Sequence, residues 1–166
     1  MAPMIRGVLA LALLGALSSC TPSGDDPKPR TPSALPSAKV GFGGPAAEPV
    51  PAAEVDEAMF RTPSQNIACL LKPSEVRCDI VRKSWKAPAK PADCELAWGN
   101  GLAITGGRAT FTCAGDTLVG TSDTTLEYGQ ALRAGTVRCE SADAGLTCED
   151  ETGHGFTLAS SRYTIF

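Results

Sequence analysis

Seven cysteines in a chain of 166 residues constrain its fold more than any other feature. A cysteine load of this size in a short chain is typical of exported proteins, whose small cores are braced by disulfides. Six of the seven lie after residue 68, whereas Cys20 stands alone near the N-terminus. Because six cysteines can pair completely, the sequence predicts a C-terminal domain with three disulfides and a separate role for Cys20.

The first two cysteines of this domain flank the turn of a predicted hairpin. Pro73 favours the second position of a type I turn between Lys72 and Glu75. Apolar residues alternate with polar ones on both sides of the turn, which is typical of strands. A hairpin closed there places Cys69 directly opposite Cys78, at a separation that suits a disulfide.

The last two cysteines repeat this spacing. Cys139 and Cys148 are also separated by eight residues, with a predicted turn at 142–145 between them, so a second bridged hairpin and a distant internal duplication are expected. Cys94 and Cys113 pair by exclusion, in one of the several connectivities that six cysteines allow.

Further turn signals recur about every ten residues, and no helical period is sustained. Glycine-rich turns are predicted at 98–101, 106–107 and 152–155, with final strands at 156–158 and 163–166. The predicted fold is all-β: a small, disulfide-rich antiparallel sandwich or barrel built of hairpins and preceded by a disordered linker.

The N-terminus predicts export. Arg6 is followed by an apolar stretch, Gly7–Leu17, which is too short for a membrane-spanning helix and is typical of a signal peptide over residues 1–19. The string Leu17-Ser18-Ser19-Cys20 resembles the bacterial lipobox, which implies a lipid on Cys20 that holds the protein at the outer face of the cell membrane. The single arginine favours the general secretory route over the twin-arginine route.

A proline-rich segment separates Cys20 from the domain. Eight of the thirteen prolines lie within residues 20–57, in a composition that cannot form a packed core and predicts a disordered tether. Eight of the nine aromatic residues follow it, so the β domain is expected to cover residues 58–166.

Several classes of function are disfavoured. The net charge of −3, with mixed signs, disfavours nucleic-acid binding. No Cys-x-x-Cys and no pair of histidines predicts a metal site, and no cofactor is expected. The residues considered for catalysis are His154, between two glycines, and the carboxylates of Asp116, Asp123 and Glu127, which are more simply explained as loop residues.

Two tryptophan-containing features that the fold could leave exposed are candidates for a binding site. Trp85 lies in a basic, proline-containing stretch with Arg82, Lys83 and Lys86, which is suited to an anionic wall polymer or to lipid headgroups, or is simply a solvated loop with Trp85 folded onto the core. Trp98 is considered as a platform for a sugar ring and, alternatively, as a core residue.

A set of short strings resembles an uncharacterised family of secreted and lipid-anchored actinobacterial proteins with six cysteines. The resemblance implies a secreted, lipid-anchored location and a disulfide framework, but no activity and no catalytic residues. The strings are 60–69 (FRTPSQNIAC), 76–80 (VRCDI), 94–99 (CELAWG), 111–116 (FTCAGD), 152–156 (TGHGF) and 163–166 (YTIF).

The expected function is therefore that of a lipid-anchored envelope module that binds or scaffolds an envelope protein or a cell-wall polymer and is not an enzyme. Two alternatives stay open: a small wall-glycan hydrolase that uses acidic loop residues, and an inhibitor of extracellular hydrolases.

Overall fold

The computed structural model describes residues 48–166. The predicted signal peptide, the lipidation site at Cys20 and residues 21–47 of the predicted tether lie outside the described residues, and the predictions made for them stay predictions. In the described part of the chain, no helix has the length and hydropathy needed to cross a membrane.

Short alternating segments separated by turns give eleven strands in residues 48–166. They are β1 (Ala52–Glu54), β2 (Ala58–Arg61), β3 (Ile67–Lys72), β4 (Glu75–Ile80), β5 (Ala97–Thr105), β6 (Arg108–Ala114), β7 (Gln130–Ala134), β8 (Val137–Ala142), β9 (Gly145–Asp150), β10 (Gly155–Leu158) and β11 (Tyr163–Ile165).

The strands form two sheets whose apolar faces share one core. One sheet has six strands in the order β1-β7-β8-β9-β10-β11, and the other has five in the order β2-β3-β4-β5-β6. Phe60, Leu102 and Ile104 of the five-stranded sheet and Leu146 and Phe156 of the six-stranded sheet are fully buried in this core. The predicted disulfide-rich sandwich is confirmed, and the sheets do not close into a barrel.

All neighbouring strands are antiparallel except one pair. β1 runs parallel to β7, with Ala52 opposite Ala131 and Glu54 opposite Arg133. No hairpin joins the two strands, because β1 belongs to the segment that precedes the five-stranded sheet.

The predicted hairpins have the predicted register. Cys69 pairs with Cys78 across β3 and β4, and Cys139 pairs with Cys148 across β8 and β9. Both pairs are disulfide-bonded with Cα–Cα separations of 4.1 Å. The third bridge joins Cys94 to Cys113, with a Cα–Cα separation of 5.8 Å.

The two hairpin disulfides stack on each other inside the core. Cys78 Sγ lies 3.9 Å from Cys148 Sγ, and all four hairpin cysteines are fully buried. The strands β3 and β8 also share the same sequence of buried and half-buried positions. The two halves of the sandwich therefore present equivalent bridged hairpins to each other, as an internal duplication would.

Two expectations from the sequence need correction. The fold begins before residue 58, because β1 lies inside the segment predicted to be tether and is held by its backbone pairing with β7. Residues 98–101 do not form a turn but lie inside β5, where the register shifts between Trp98 and Leu102. Gly99, at φ 76°, provides this bulge, and a Cβ on Gly101 would overlap the Cys78 carbonyl oxygen.

Candidate functional site

The predicted binding residues lie on the long connection between β4 and β5, residues 81–96, which has no regular strand. Trp85 anchors this connection. Its ring centroid lies 4.8 Å from that of Tyr163 and 6.1 Å from that of Phe111, and its indole N–H donates to the Ala159 carbonyl at 2.7 Å. Trp85 is thus half-buried against the core, and its polar group is already used.

Trp98 is placed in a similar way. Its ring packs 5.7 Å from Phe111, and its N–H donates to the carbonyl of Pro88 at 3.0 Å. Both half-buried tryptophans therefore use their polar group and part of their ring to hold the 81–96 connection against the sandwich.

Lys83 also has a positioning role. Its ammonium donates to the Gly99 carbonyl at 2.7 Å and to Asn100 Oδ1 at 3.1 Å, and it lies 5.0 Å from the centroid of the Trp85 ring. Partial burial lowers the pKa of Lys83. Arg82 and Lys86, in contrast, are exposed.

A second segment, residues 159–162, lies against this connection. Ser84 donates from its backbone N–H to the Ser160 carbonyl at 2.8 Å and from its hydroxyl to the same oxygen at 3.2 Å. The buried side chain of Asn66 joins both segments, because its amide donates to the carbonyl of Arg82 at 2.9 Å and to Ser160 Oγ at 3.0 Å.

The two joined segments are rich in cations, and the acidic residues of the connection, Asp93 and Glu95, lie near its end. No acidic residue occurs in 81–92 or in 152–166, although residues 48–166 as a whole hold sixteen acidic and eleven basic residues. We call the surface formed by residues 81–92 and 159–162 the basic face; the cations within these residues are Arg82, Lys83, Lys86, Lys90 and Arg162.

A shallow cleft of about 300 Å³ opens in the basic face. Its lining comes from both segments: Arg82, Lys83 and Ser84 from the first, and Ser160 and Ser161 from the second. Guanidinium, ammonium and hydroxyl groups are the donors that bind phosphate and carboxylate oxygens.

Sequence reasoning found only half of this face. Ser160, Ser161 and Arg162 were missed because they lie about 75 residues away along the chain. Hydrogen bonds from Ser84, Asn66 and Trp85 to residues 159–160 bring them in. Their one local signal is the absence of acids after Glu151.

Two of the three acidic residues considered for hydrolysis are paired with arginines, and the third is exposed. Asp116 accepts a hydrogen bond from Arg77 Nη1 at 2.9 Å, and this hydrogen bond, together with the charge of Arg77, lowers the pKa of Asp116. Asp123 pairs with Arg61 at 3.5 Å. The backbone N–H of Glu127 donates to Gln130 Oε1 at 3.1 Å, and its own side chain is exposed. A glycosidase needs one carboxyl group with a raised pKa as its acid, and the shift at Asp116 has the opposite sign.

His154 lies far from Asp116. It lines a cleft with Arg108 at the first residue of β6, whereas Asp116 follows the last residue of that strand. The seven residues of β6 span about 20 Å. The structure therefore does not bring these two candidates together in one site.

Metal ligation finds no support in the part of the chain that the structure describes. No three His, Cys, Asp or Glu side chains converge there, and the six described cysteines are all in disulfides.

Comparison with known proteins yields one match. No curated protein and no solved structure matches the chain. A protein family described only as a family of unknown function, DUF6636, matches residues 45–166. This range includes all eleven strands, the three disulfides and the basic face. The chain therefore belongs to the DUF6636 family.

Proposed function

We propose that this protein is a lipid-anchored module of the cell envelope that binds an anionic cell-wall polymer through its basic face. It acts by holding that polymer near the outer surface of the membrane and carries out no reaction on it. The observation that carries the proposal is the basic face itself, in which residues 81–92 and 159–162, which hold no acidic residue, meet on a domain that otherwise has excess negative charge.

The charge distribution supports binding at this face over binding elsewhere. A polyanion is repelled by most of a surface with sixteen acidic and eleven basic residues, so a local group of cations directs it to one orientation. The cleft has donor side chains that are held by hydrogen bonds: Arg82 donates to the Ser64 carbonyl at 3.3 Å, Lys83 to the Gly99 carbonyl and Ser84 to the Ser160 carbonyl. Such a rigid arrangement reduces the entropy lost on binding.

The sequence supports the proposed location at the outer surface of the membrane. An apolar stretch followed by Leu17-Ser18-Ser19-Cys20 is the pattern of an exported, lipid-modified protein. Three disulfides fit an oxidising compartment outside the cytoplasm. A diacylated cysteine binds a bilayer far more strongly than a single acyl chain does, so the attachment is lasting.

Binding is tested with the purified protein and a defined wall-type polyanion, poly(glycerol phosphate), by calorimetry at two salt concentrations. Arg82→Gln, Lys86→Gln and Arg162→Gln should each weaken binding about fivefold, because each removes one cation from the face. The affinity should also fall as salt rises.

The matched controls are Lys72→Gln and Arg133→Gln, which make the same charge change on other parts of the surface. Their side chains pair with Glu75 at 3.8 Å and Glu54 at 3.7 Å. If the controls weaken binding as much as the three variants of the basic face, or if the protein binds anionic vesicles but not the polymer, the proposal is wrong.

The anchor is tested separately by Cys20→Ala. We expect the variant to move from the membrane fraction to the soluble fraction while the intact protein stays with the membrane. A variant that remains membrane-bound after a high-salt wash would contradict the lipid anchor and leave polymer binding untouched.

A further inference from the structure

A second cleft lies at another corner of the sandwich, where segments of both sheets meet. It has a volume of about 390 Å³, within the usual range for sites that bind small molecules. The turn between β5 and β6 contributes Gly106, Gly107 and Arg108. The turn between β9 and β10 contributes His154, and the end of β11 contributes Ile165 and Phe166. None of these residues belongs to the basic face.

The imidazole in this cleft is held in one orientation. Thr152 Oγ1 donates to Asp150 Oδ1 at 2.6 Å and lies 2.9 Å from His154 Nδ1. Because the single hydroxyl proton of Thr152 goes to the carboxylate, Nδ1–H of His154 must be the donor to Thr152. This leaves Nε2 of the neutral imidazole as a free hydrogen-bond acceptor.

The carboxylate behind the imidazole is itself fixed. Asp150 Oδ1 also accepts the backbone N–H groups of Thr152 at 2.9 Å and His154 at 3.1 Å. These hydrogen bonds, led by that from the Thr152 hydroxyl, lower the pKa of Asp150 and keep it ionised. The chain from Asp150 through Thr152 to His154 is therefore preorganised.

Arg108 supplies the positive charge of the cleft. It is exposed, and among the described residues it has no carboxylate partner. A free guanidinium at the wall of a cleft is suited to a carboxylate, which it binds through two parallel hydrogen bonds.

Two apolar side chains give the cleft a non-polar surface. Phe166 is 45% exposed and Ile165 is 41% exposed, although the fold buries most of its other large apolar residues. Phe166 is held in place by two backbone hydrogen bonds with Gly155, of 2.8 and 3.0 Å. The backbone of Phe166 is thus fixed, and its side chain lines the cleft together with His154.

The rim of the cleft has no side chains at the β5–β6 turn. Gly106 and Gly107 have φ values of 58° and 71°, which a two-residue hairpin turn requires and which side-chain-bearing residues rarely adopt. No atom lies within 4 Å of a Cβ built on Gly106. The entrance is therefore open beside Gly106, whereas a Cβ built on Gly107 would lie 3.5 Å from Asp150 Oδ2.

We propose that this cleft binds an acidic sugar, a pyranose ring that carries a carboxylate. Arg108 binds the carboxylate, and Nε2 of His154 accepts a hydrogen bond from a ring hydroxyl. The apolar face of the ring packs on Phe166. A neutral sugar lacks the charge for Arg108, and an aliphatic acid lacks the hydroxyl for His154.

The ligand class is tested by titrating the isotope-labelled protein with glucuronate and with glucose while following the resonances of His154 and Phe166. We expect saturable shifts confined to the cleft, and tighter binding of glucuronate by about tenfold, which is what a hydrogen bond to a charged group contributes. Equal affinity for the two sugars, or shifts spread over the surface, would overturn the proposal.

Three variants separate the contacts. Arg108→Gln should remove the preference for glucuronate and keep the weak binding of glucose, and Arg108→Lys should restore part of the preference. Phe166→Ala should weaken the binding of both sugars. Arg133→Gln, on β7, makes the same charge change away from the cleft and is the control; it should leave both affinities unchanged. If it lowers glucuronate binding as Arg108→Gln does, the cleft is not the site.

A further titration distinguishes the two sources of such a sugar. A trimer of galacturonate that binds more tightly than the monomer, when compared per sugar residue, indicates a site for a residue within a polymer. Equal affinities indicate a site for the free sugar. Thermal unfolding of each variant shows whether a loss of binding comes from a loss of structure, and in that case Arg108→Lys, the smallest change, decides.

Discussion

Asn66 is buried at the junction of three segments, and its side chain has three partners. Besides its two donated hydrogen bonds, its Oδ1 accepts the backbone N–H of Arg82 at 2.7 Å. One neutral amide thus satisfies polar groups of Arg82 and Ser160, which the cleft of the basic face needs in fixed positions. Such groups would be costly to leave unpaired in a buried position.

We expect Asn66→Ala to lower the free energy of unfolding by about 3 kcal/mol, because backbone groups of Arg82 lose their partner. Urea unfolding followed by tryptophan fluorescence measures the effect. Asn100→Ala is the matched control: its side chain is exposed and accepts only from Lys83, so a loss below about 0.5 kcal/mol is expected. Similar losses in both variants would contradict the role of Asn66.

A second prediction at this scale concerns Asp116 and pH. The Arg77 hydrogen bond lowers the pKa of Asp116 below the ordinary value of an aspartate. A carboxyl group with a depressed folded-state pKa stabilises the fold above its unfolded-state pKa, and this stability is lost as the pH falls through the folded-state pKa. Stability should therefore decrease from about pH 4 downward.

Asp116→Asn should be less stable than the wild type at pH 7 and should lose less stability between pH 7 and pH 3, so that the two curves converge in acid. Urea unfolding across this pH range measures it. Asp143→Asn, in the exposed turn between β8 and β9, makes the same charge change away from Arg77. If the curves of unfolding free energy against pH stay parallel for the wild type and Asp116→Asn, the Arg77–Asp116 pair is not the cause of the loss of stability in acid.

Among the elements, the 81–96 connection is the longest irregular segment between two described strands of one sheet. It is attached covalently by Cys94–Cys113. Hydrogen bonds attach it further, among them those of Trp85, Lys83, Ser84, Trp98 and Asn66. Cys113 is exposed and Cys94 is 7% exposed, whereas the other four bridged cysteines are fully buried. The connection that carries the basic face is thus fixed by the most accessible disulfide of the domain.

We expect mild reductant to cleave Cys94–Cys113 before the other two bridges, because a thiolate must reach the sulfur that it attacks. Alkylation and peptide mapping over time identify the order. Loss of this bridge should lower the free energy of unfolding by about 3 kcal/mol, through the entropy of the freed loop. The double variant Cys94→Ala/Cys113→Ala should have the same tryptophan fluorescence as the protein in which mild reductant has cleaved this bridge. Cleavage of Cys69–Cys78 before Cys94–Cys113 would contradict the prediction.

The elements also differ in how far sequence alone predicts them. The hairpins around Pro73, Gly106 and the 142–145 turn depend on local turn chemistry and alternation, so both their register and the pairing of Cys69 with Cys78 were predictable. β1 was not, because its few residues resemble the tether and become a strand only through β7. The basic face was half predictable for the same reason: the charges of 82–90 are visible in the sequence, but the packing of Trp85 and the approach of Ser160 are not.

At the scale of the whole molecule, β1 covers an edge of the six-stranded sheet. Beyond its pairing with β7, Val55 donates from its N–H to the Arg133 carbonyl at 2.9 Å. The largely buried guanidinium of Arg138 donates to the Val50 carbonyl at 2.7 Å. The segment before residue 58 is therefore part of the domain, and without it β7 would become an open edge.

We expect deletion of residues 48–55 to lower the free energy of unfolding by about 3 kcal/mol, since several backbone hydrogen bonds are lost, and to promote association through the exposed edge of β7. Urea unfolding and light scattering measure the two effects. Glu54→Gln removes only a 3.7 Å ion pair with Arg133 and should change stability by less than about 0.5 kcal/mol. A deletion variant as stable and monomeric as the wild type would show that β1 is dispensable.

The stacking of Cys78 on Cys148 has a consequence for how the chain reaches its fold. Each hairpin joins cysteines nine residues apart, whereas the contact between the bridges joins residues seventy apart, so the hairpins close first at the smaller entropic cost. If the two strands of a hairpin pair one residue out of register, the two cysteines point to opposite faces of the sheet and cannot form their disulfide. Each disulfide therefore forms only when its own two strands are paired in the correct register. Only correctly paired hairpins bring a disulfide to the layer where the two sheets pack.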